Sequence, residues 1–157
     1  MNKSRFHAFA IILTLFTFFM FSCTDKMEKE VVNYYPDSTV MVEKYYKWFE
    51  NQRYMFKEIR YFPDGTKEKE SIYNQFSKKD GKWTYWHDNG KKWIEENYKN
   101  DIKQGEFIEW YKSGEKYYQG KFENGMPDGE WIYWDGNGKK IINAVYENGK
   151  KIKEEKY

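Results

Sequence analysis

At 157 residues the chain is long enough for one domain, and 33% charged residues exclude a multi-span membrane protein. Two histidines, His7 and His87, and one cysteine, Cys23, exclude a Cys/His zinc cluster and an internal disulfide. The formal charge of +2 resides in the first residues, where Lys3 and Arg5 stand without an acid; the remainder balances at 25 basic against 25 acidic side chains and gives no support to nucleic-acid binding.

In chain order, the first feature is an address. A basic start is followed by an apolar run over 8–21 and then by Cys23, the pattern of a secretory leader. The run is shorter than the roughly 18 residues of a spanning helix, although 6–22 comes close, so an uncleaved anchor and plain secretion are the alternatives to a cleaved, lipidated leader. Met20-Phe21-Ser22-Cys23 resembles the lipobox of bacterial lipoproteins, with Met20 in place of the usual Leu and a bulkier residue than usual at Phe21. The resemblance implies that Cys23 becomes an acylated, palmitate-bearing first residue that attaches the protein to a membrane. Thr24, where an Asp would resemble an inner-membrane retention signal, implies the outer membrane of a bacterial cell envelope. Residues 1–22 then form the signal peptide. Residues 23–40, charged and carrying the turn signal Pro36-Asp37-Ser38, form the lipidated N-terminus and a tether.

The remaining segment, 41–157, is expected to be the folded domain. Aromatic residues make up 22% of the chain, so a core built here must use flat rings, which suit strands better than helices. At its start Val42, Tyr45, Tyr46 and Phe49 have helical spacing, but their aromatic character favours a strand that closes one end of a sheet. From there a repeat takes over. Gly81, Gly105 and Gly129 are 24 residues apart, and so are Gly90, Gly114 and Gly138; a worn copy around Gly65 has Tyr61 in the tryptophan position. Such a period means stacked supersecondary units, here about 56–80, 81–104, 105–128 and 129–152.

Two turn signals per unit predict two strands per unit. After each second glycine, the positions Ile94/Tyr118/Ile142, Glu96/Gly120/Ala144 and Tyr98/Phe122/Tyr146 fall on one face with period two and are mostly apolar. Before it, the columns Trp83/Phe107/Trp131 and Trp86/Trp110/Trp134 are three apart. Either a bulge aligns these two columns, or the strand is covered on both sides. The charged end at Lys150, Lys151, Lys153, Glu154, Glu155 and Lys156 suits an edge strand that resists edge-to-edge pairing.

The pattern G-x-W/F-x-x-W-x-x-x-G-x-K, followed by an apolar pair and Tyr/Phe-x-Asn-Gly, resembles the MORN repeat in the bacterial form of YwqK-type antitoxin-like proteins and envelope lipoproteins. Asn100-Asp101 replaces Asn-Gly in the first clear copy. The resemblance implies an all-β fold, a single elongated, twisted antiparallel meander of repeated hairpins after an N-terminal signal helix and tether, and in an antitoxin-like variant a toxin as partner; the role expected of the sheet is a protein-binding or scaffolding surface.

The residues offer little for catalysis. His87 lies in a turn with no cysteine or serine nucleophile marked beside it, and Glu95, Glu96, Asp128 and Glu130 serve as an acid/base pair only if the fold brings two of them together. A non-catalytic protein without cofactor or metal is expected. The candidate binding residues are Tyr61, Trp86, Trp110 and Trp134, a ladder that stacks on glycans or grips a partner if it is not simply the core.

Overall fold

The computed structural model describes residues 27–157, so the leader and Cys23 lie outside the described residues. Regular structure within them is entirely strand. The strands are β1 (Glu28–Tyr34), β2 (Val40–Phe49), β3 (Gln52–Tyr61), β4 (Lys67–Ile72), β5 (Gly81–Trp86), β6 (Lys92–Lys99), β7 (Ile102–Trp110), β8 (Lys116–Glu123), β9 (Met126–Trp134), β10 (Lys140–Glu147) and β11 (Lys150–Lys156). They form one antiparallel sheet in sequence order, the expected meander of hairpins. β1 and β11 each have a single neighbour, so the sheet is open. All extensive contacts are between strands adjacent in sequence, which makes the fold quasi-one-dimensional.

The turns define two edges and alternate in kind, except between β4 and β5, where a five-residue loop over 74–78 takes the place of a tight turn. At one edge are five-residue loops over 35–39, 62–66, 87–91, 111–115 and 135–139. In each, the first N–H donates to the fifth carbonyl and the fourth N–H donates back to the first carbonyl, as from Phe62 to Thr66 (2.8 Å) and Gly65 to Phe62 (2.9 Å). The fourth residue has positive φ and is Gly65, Gly90, Gly114 or Gly138 in the later copies and Ser38 in the first. At the other edge are the tight turns Glu50-Asn51, Asn100-Asp101, Asn124-Gly125 and Asn148-Gly149, with φ positive at both residues, the geometry whose twist matches a hairpin. Asn100-Asp101 therefore keeps the shape of its Asn-Gly counterparts. Asp101 compensates for its left-handed backbone by accepting the Lys79 N–H on its carboxylate at 2.8 Å.

Part of the expected tether is not a tether. Glu28–Tyr34 is β1, paired with β2 from Glu28 opposite Tyr46 to Tyr34 opposite Val40. The reason is a further copy of the repeat: Tyr34-Tyr35-Pro36-Asp37-Ser38-Thr39 matches Tyr61-Phe62-Pro63-Asp64-Gly65-Thr66. Asp37 and Asp64 each accept the N–H of the threonine two residues on, at 2.9 Å in both loops. Pro36-Asp37-Ser38 is a hairpin loop, and the sheet begins before residue 41.

The paired columns of large rings are separated by the pleat. Trp83 to Trp86 is a regular stretch of β5, so the two tryptophans point to opposite faces. The irregularity sits in the partner strand: Tyr85 pairs with Ile94 but Trp86 with Lys92, which leaves Trp93 as an extra residue. Tyr117 and Ile141 are extra in the same way in the next two hairpins.

On one face Trp83, Phe107 and Trp131 are the core, 3%, 5% and 4% exposed. Their row reads Trp83, Glu96, Phe107, Gly120, Trp131, Ala144 across β5 to β10, large and small in turn. Trp131 leans over Gly120, and Phe107, Phe122 and Tyr146 surround it with centroids 5.1–6.0 Å away. Glu96 belongs to this row because Tyr98 donates to it at 3.0 Å and Lys103 pairs with it at 2.8 Å, meeting the condition for a buried charge. We call this the aromatic face.

Candidate binding surface

Tyr61, Trp86, Trp110 and Trp134 all lie on the opposite face, half-buried. Each is the register partner of the lysine that follows its own loop: Tyr61 with Lys67, Trp86 with Lys92, Trp110 with Lys116, Trp134 with Lys140. Each lysine also reaches the aromatic ring of the following hairpin. Lys67 lies over Trp86 at 5.4 Å, Lys92 over Trp110 at 5.6 Å, Lys116 over Trp134 at 5.6 Å and Lys140 over Tyr157 at 5.1 Å. The lysine of the G-x-K motif is thus a clasp between hairpins, its stem covering an indole face and its ammonium held by the ring quadrupole. The four candidate residues do form a ladder, and its rungs alternate ring and lysine.

Acidic groups steady the first rungs. Glu70 pairs with Lys67 at 2.7 Å, and Glu95 pairs with both Lys92 (2.6 Å) and Lys82 (2.8 Å). Burial pushes the Glu95 carboxyl up, but the bonds from the two lysines outweigh it and hold the group below its ordinary value. Tyr61, the first rung, donates to buried Glu43 at 2.9 Å, and burial together with that bond raises its phenol pKa. A ring flanked by lysine stems offers its edge, not a free face, to a sugar.

Among the carboxylates considered for acid/base work, those of β6 are separated from each other and from those of β9. Glu95 and Glu96 are consecutive in β6 and point to opposite faces, whereas Asp128 and Glu130 are in β9, three strands away, or about 14 Å. His87 is a packing residue: its Nε2 lies 3.2 Å from the Trp110 carbonyl. Tyr35 and Tyr111 make the equivalent bond to the carbonyls of Tyr61 and Trp134 at 2.8 and 3.0 Å. Among the described residues no group of three or more His, Cys, Asp or Glu is placed to hold a metal ion.

The aromatic face carries what the sequence reasoning missed. Toward the five-residue loops, Tyr85, Trp93, Tyr117, Tyr118 and Tyr133 form a strip. Centroids are 6.5 Å apart from Tyr85 to Trp93, 5.1 Å from Tyr117 to Tyr118 and 5.4 Å from Tyr118 to Tyr133. Glu109 links the two halves by accepting the Trp93 indole N–H at 3.3 Å. Trp93 is 42% exposed and Tyr117 39% exposed, because the bulge lifts each out of the regular pleat. The signal was present as a column, Glu68/Trp93/Tyr117/Ile141, one residue after each G-x-K lysine.

At one end of the strip lies an open hollow of about 500 Å³, lined by Arg60, Lys69, Tyr85, His87, Asp88 and Trp93 among others. Trp93 stacks on His87 there at 5.7 Å. Burial lowers the pKa of the Lys69 ammonium and pushes the Tyr85 phenol up to about 12. Rings, three cations (Arg60, Lys69 and Lys112) and two carboxylates (Glu68 and Asp88) around an open hollow suit recognition of an exposed side chain or a polar ring. No protein-family model matches the chain, and no curated protein is significantly similar to it.

Proposed function

We propose that the chain is a non-catalytic lipoprotein of the bacterial cell envelope, attached to the outer membrane through acylated Cys23, whose MORN-like sheet is a binding surface for a protein partner. The observation that carries this reading is the strip Tyr85, Trp93, Tyr117, Tyr118, Tyr133, on a face that no second layer covers among the described residues. Tyrosine and tryptophan are the residues that dominate interface energetics. The test is capture of partners from detergent-solubilised membranes with the full-length protein and with Trp93→Ala/Tyr117→Ala. Both residues are exposed, so the variant should stay folded and lose a stoichiometric companion that wild type recovers. Equal recovery by both proteins, or no companion for either, refutes the reading.

The hollow favours a second reading, glycan capture. An exposed indole beside Arg60 and Asp88 resembles a sugar subsite more than the lysine-clasped ladder does. Glycan-array binding that Trp93→Ala abolishes and Trp110→Ala preserves would support it; binding lost only with Trp110→Ala would return the glycan to the ladder.

A further inference from the structure

The tight-turn edge carries a row of exposed apolar side chains. Trp48 (50% exposed) and Phe49 (46%) precede the turn at Glu50-Asn51, Phe76 (69%) tops the loop over 74–78, Ile102 (50%) follows Asn100-Asp101, and Met126 (45%) follows Asn124-Gly125. The row is held by the fold. A Cβ on Gly125 would stand 3.5 Å from Ile102 and one on Gly149 3.3 Å from Met126, so each apolar side chain leans on the next turn. From the β2–β3 tip to the β8–β9 tip is six strand spacings, about 29 Å. Single exposed apolar residues are ordinary, but a line of five along one rim is a patch that water does not favour.

The same edge is where the chain joins the sheet. β1 runs toward the five-residue loop at 35–39, so its first residues, Met27 and Glu28, are at the tight-turn end; Glu28 pairs with Tyr46, three positions before Phe49. Cys23 is four residues before Met27, at most about 14 Å of chain. Strands of eight to ten residues are about 27–33 Å long. An acyl chain on Cys23 therefore cannot place the far edge at a bilayer without holding the near edge there too.

We infer that the tight-turn edge is the membrane-facing edge of the protein, with Trp48, Phe49, Phe76, Ile102 and Met126 resting in the headgroup layer and the five-residue loops pointing away. This rests on the proposed attachment through Cys23. Aromatic side chains have a general preference for that layer, and apolar contact along the rim supplements the lipid anchor. The aromatic strip, placed toward the loop edge, would then be presented to the aqueous side.

The test uses the full-length protein, expressed for export and reconstituted in vesicles of phosphatidylethanolamine and phosphatidylglycerol that contain a nitroxide-labelled lipid. A fluorophore is attached through Phe76→Cys or Ile102→Cys at the rim, or through Ser113→Cys or Asn137→Cys in the loops. Vesicle flotation with rim probes quenched several-fold more than loop probes is the expected result. Flotation with equal quenching, or stronger quenching at the loops, overturns the orientation and leaves the anchor standing. Failure to float, with the Cys23 thiol itself taking up label, removes the anchor and the orientation together. Rim probes shielded from iodide yet unquenched by lipid reveal a protein covering the edge, and overturn the membrane assignment.

Discussion

Gly120→Ala should destabilise the protein, although alanine is normally the better strand residue. Glycine in a strand interior costs roughly 0.5–1 kcal/mol relative to alanine, so without a steric obstacle the substitution would help. The obstacle is Trp131: a Cβ on Gly120 would lie 2.2, 2.4 and 2.6 Å from its Cδ2, Cε2 and Cγ. Carbon pairs prefer about 3.5–4.0 Å, so the ring must retreat by roughly 1 Å. Its root atoms are the ones struck, and Phe107, Phe122 and Tyr146 close the way back. Overpacking of this kind costs about 1–3 kcal/mol, and partial expulsion of the ring would add to it. Trp131→Ala alone should cost about 3–5 kcal/mol. In Gly120→Ala/Trp131→Ala the methyl group has space, so the double variant should be no less stable than Trp131→Ala. Urea midpoints followed by near-ultraviolet circular dichroism measure all three. A neutral or stabilising Gly120→Ala, or costs that simply add in the double variant, would refute the stacking of Trp131 on Gly120.

Three further outcomes are expected. Trp83→Phe should cost about 1 kcal/mol more than Trp131→Phe, because the Trp83 indole N–H donates to the Ile72 carbonyl at 2.9 Å whereas that of Trp131 is buried without a partner; paired urea titrations check the difference. Glu50→Asn/Asn51→Gly should raise stability by about 1 kcal/mol, since Glu50 and Asn51 hold φ of 46° and 63° in a turn whose last two copies use Asn-Gly; an unchanged melting temperature would count against it. At Glu43, burial raises the carboxyl pKa, but bonds from Lys29, Tyr45 and Tyr61 outweigh it and the net shift is downward. The stabilisation is therefore present above the unfolded-state value of about 4.3 and is lost as the pH falls through the lower folded value. Glu43→Gln should be less stable at neutral pH and show a shallower acid limb, and parallel pH profiles would exclude that role.

Hairpins, period and the two turns per unit were legible because glycine and large rings recur at fixed intervals, and both are demanded locally. Faces were harder. The choice for Trp83 and Trp86 between an aligning bulge and coverage on two sides turned on an extra residue that sits in the neighbouring strand, at Trp93. A bulge shifts the pairing of the strand opposite while leaving the sequence of the tryptophan strand unchanged, so inspection of Trp83 to Trp86 alone does not reveal it. The first hairpin escaped notice for a different reason. Its loop uses Ser38 in place of glycine, and Tyr34 stands 27 residues before Tyr61, outside the 24-residue rhythm. The ladder Tyr61, Trp86, Trp110, Trp134 was found as a column, but its partners were not, because a lysine after a loop reads as solvated until the register places the next ring beneath it.

That all extensive contacts run between successive strands also gives the molecule a ruler. Removing one 24-residue unit, such as 102–125, at matching turns would delete two strands and shorten the sheet by about 9.5 Å, while each surviving interface still meets a repeat of the same kind. Extent across the strands thus scales with copy number, so the distance between the two ends can be reset by duplication or loss of whole units without redesign of what lies between.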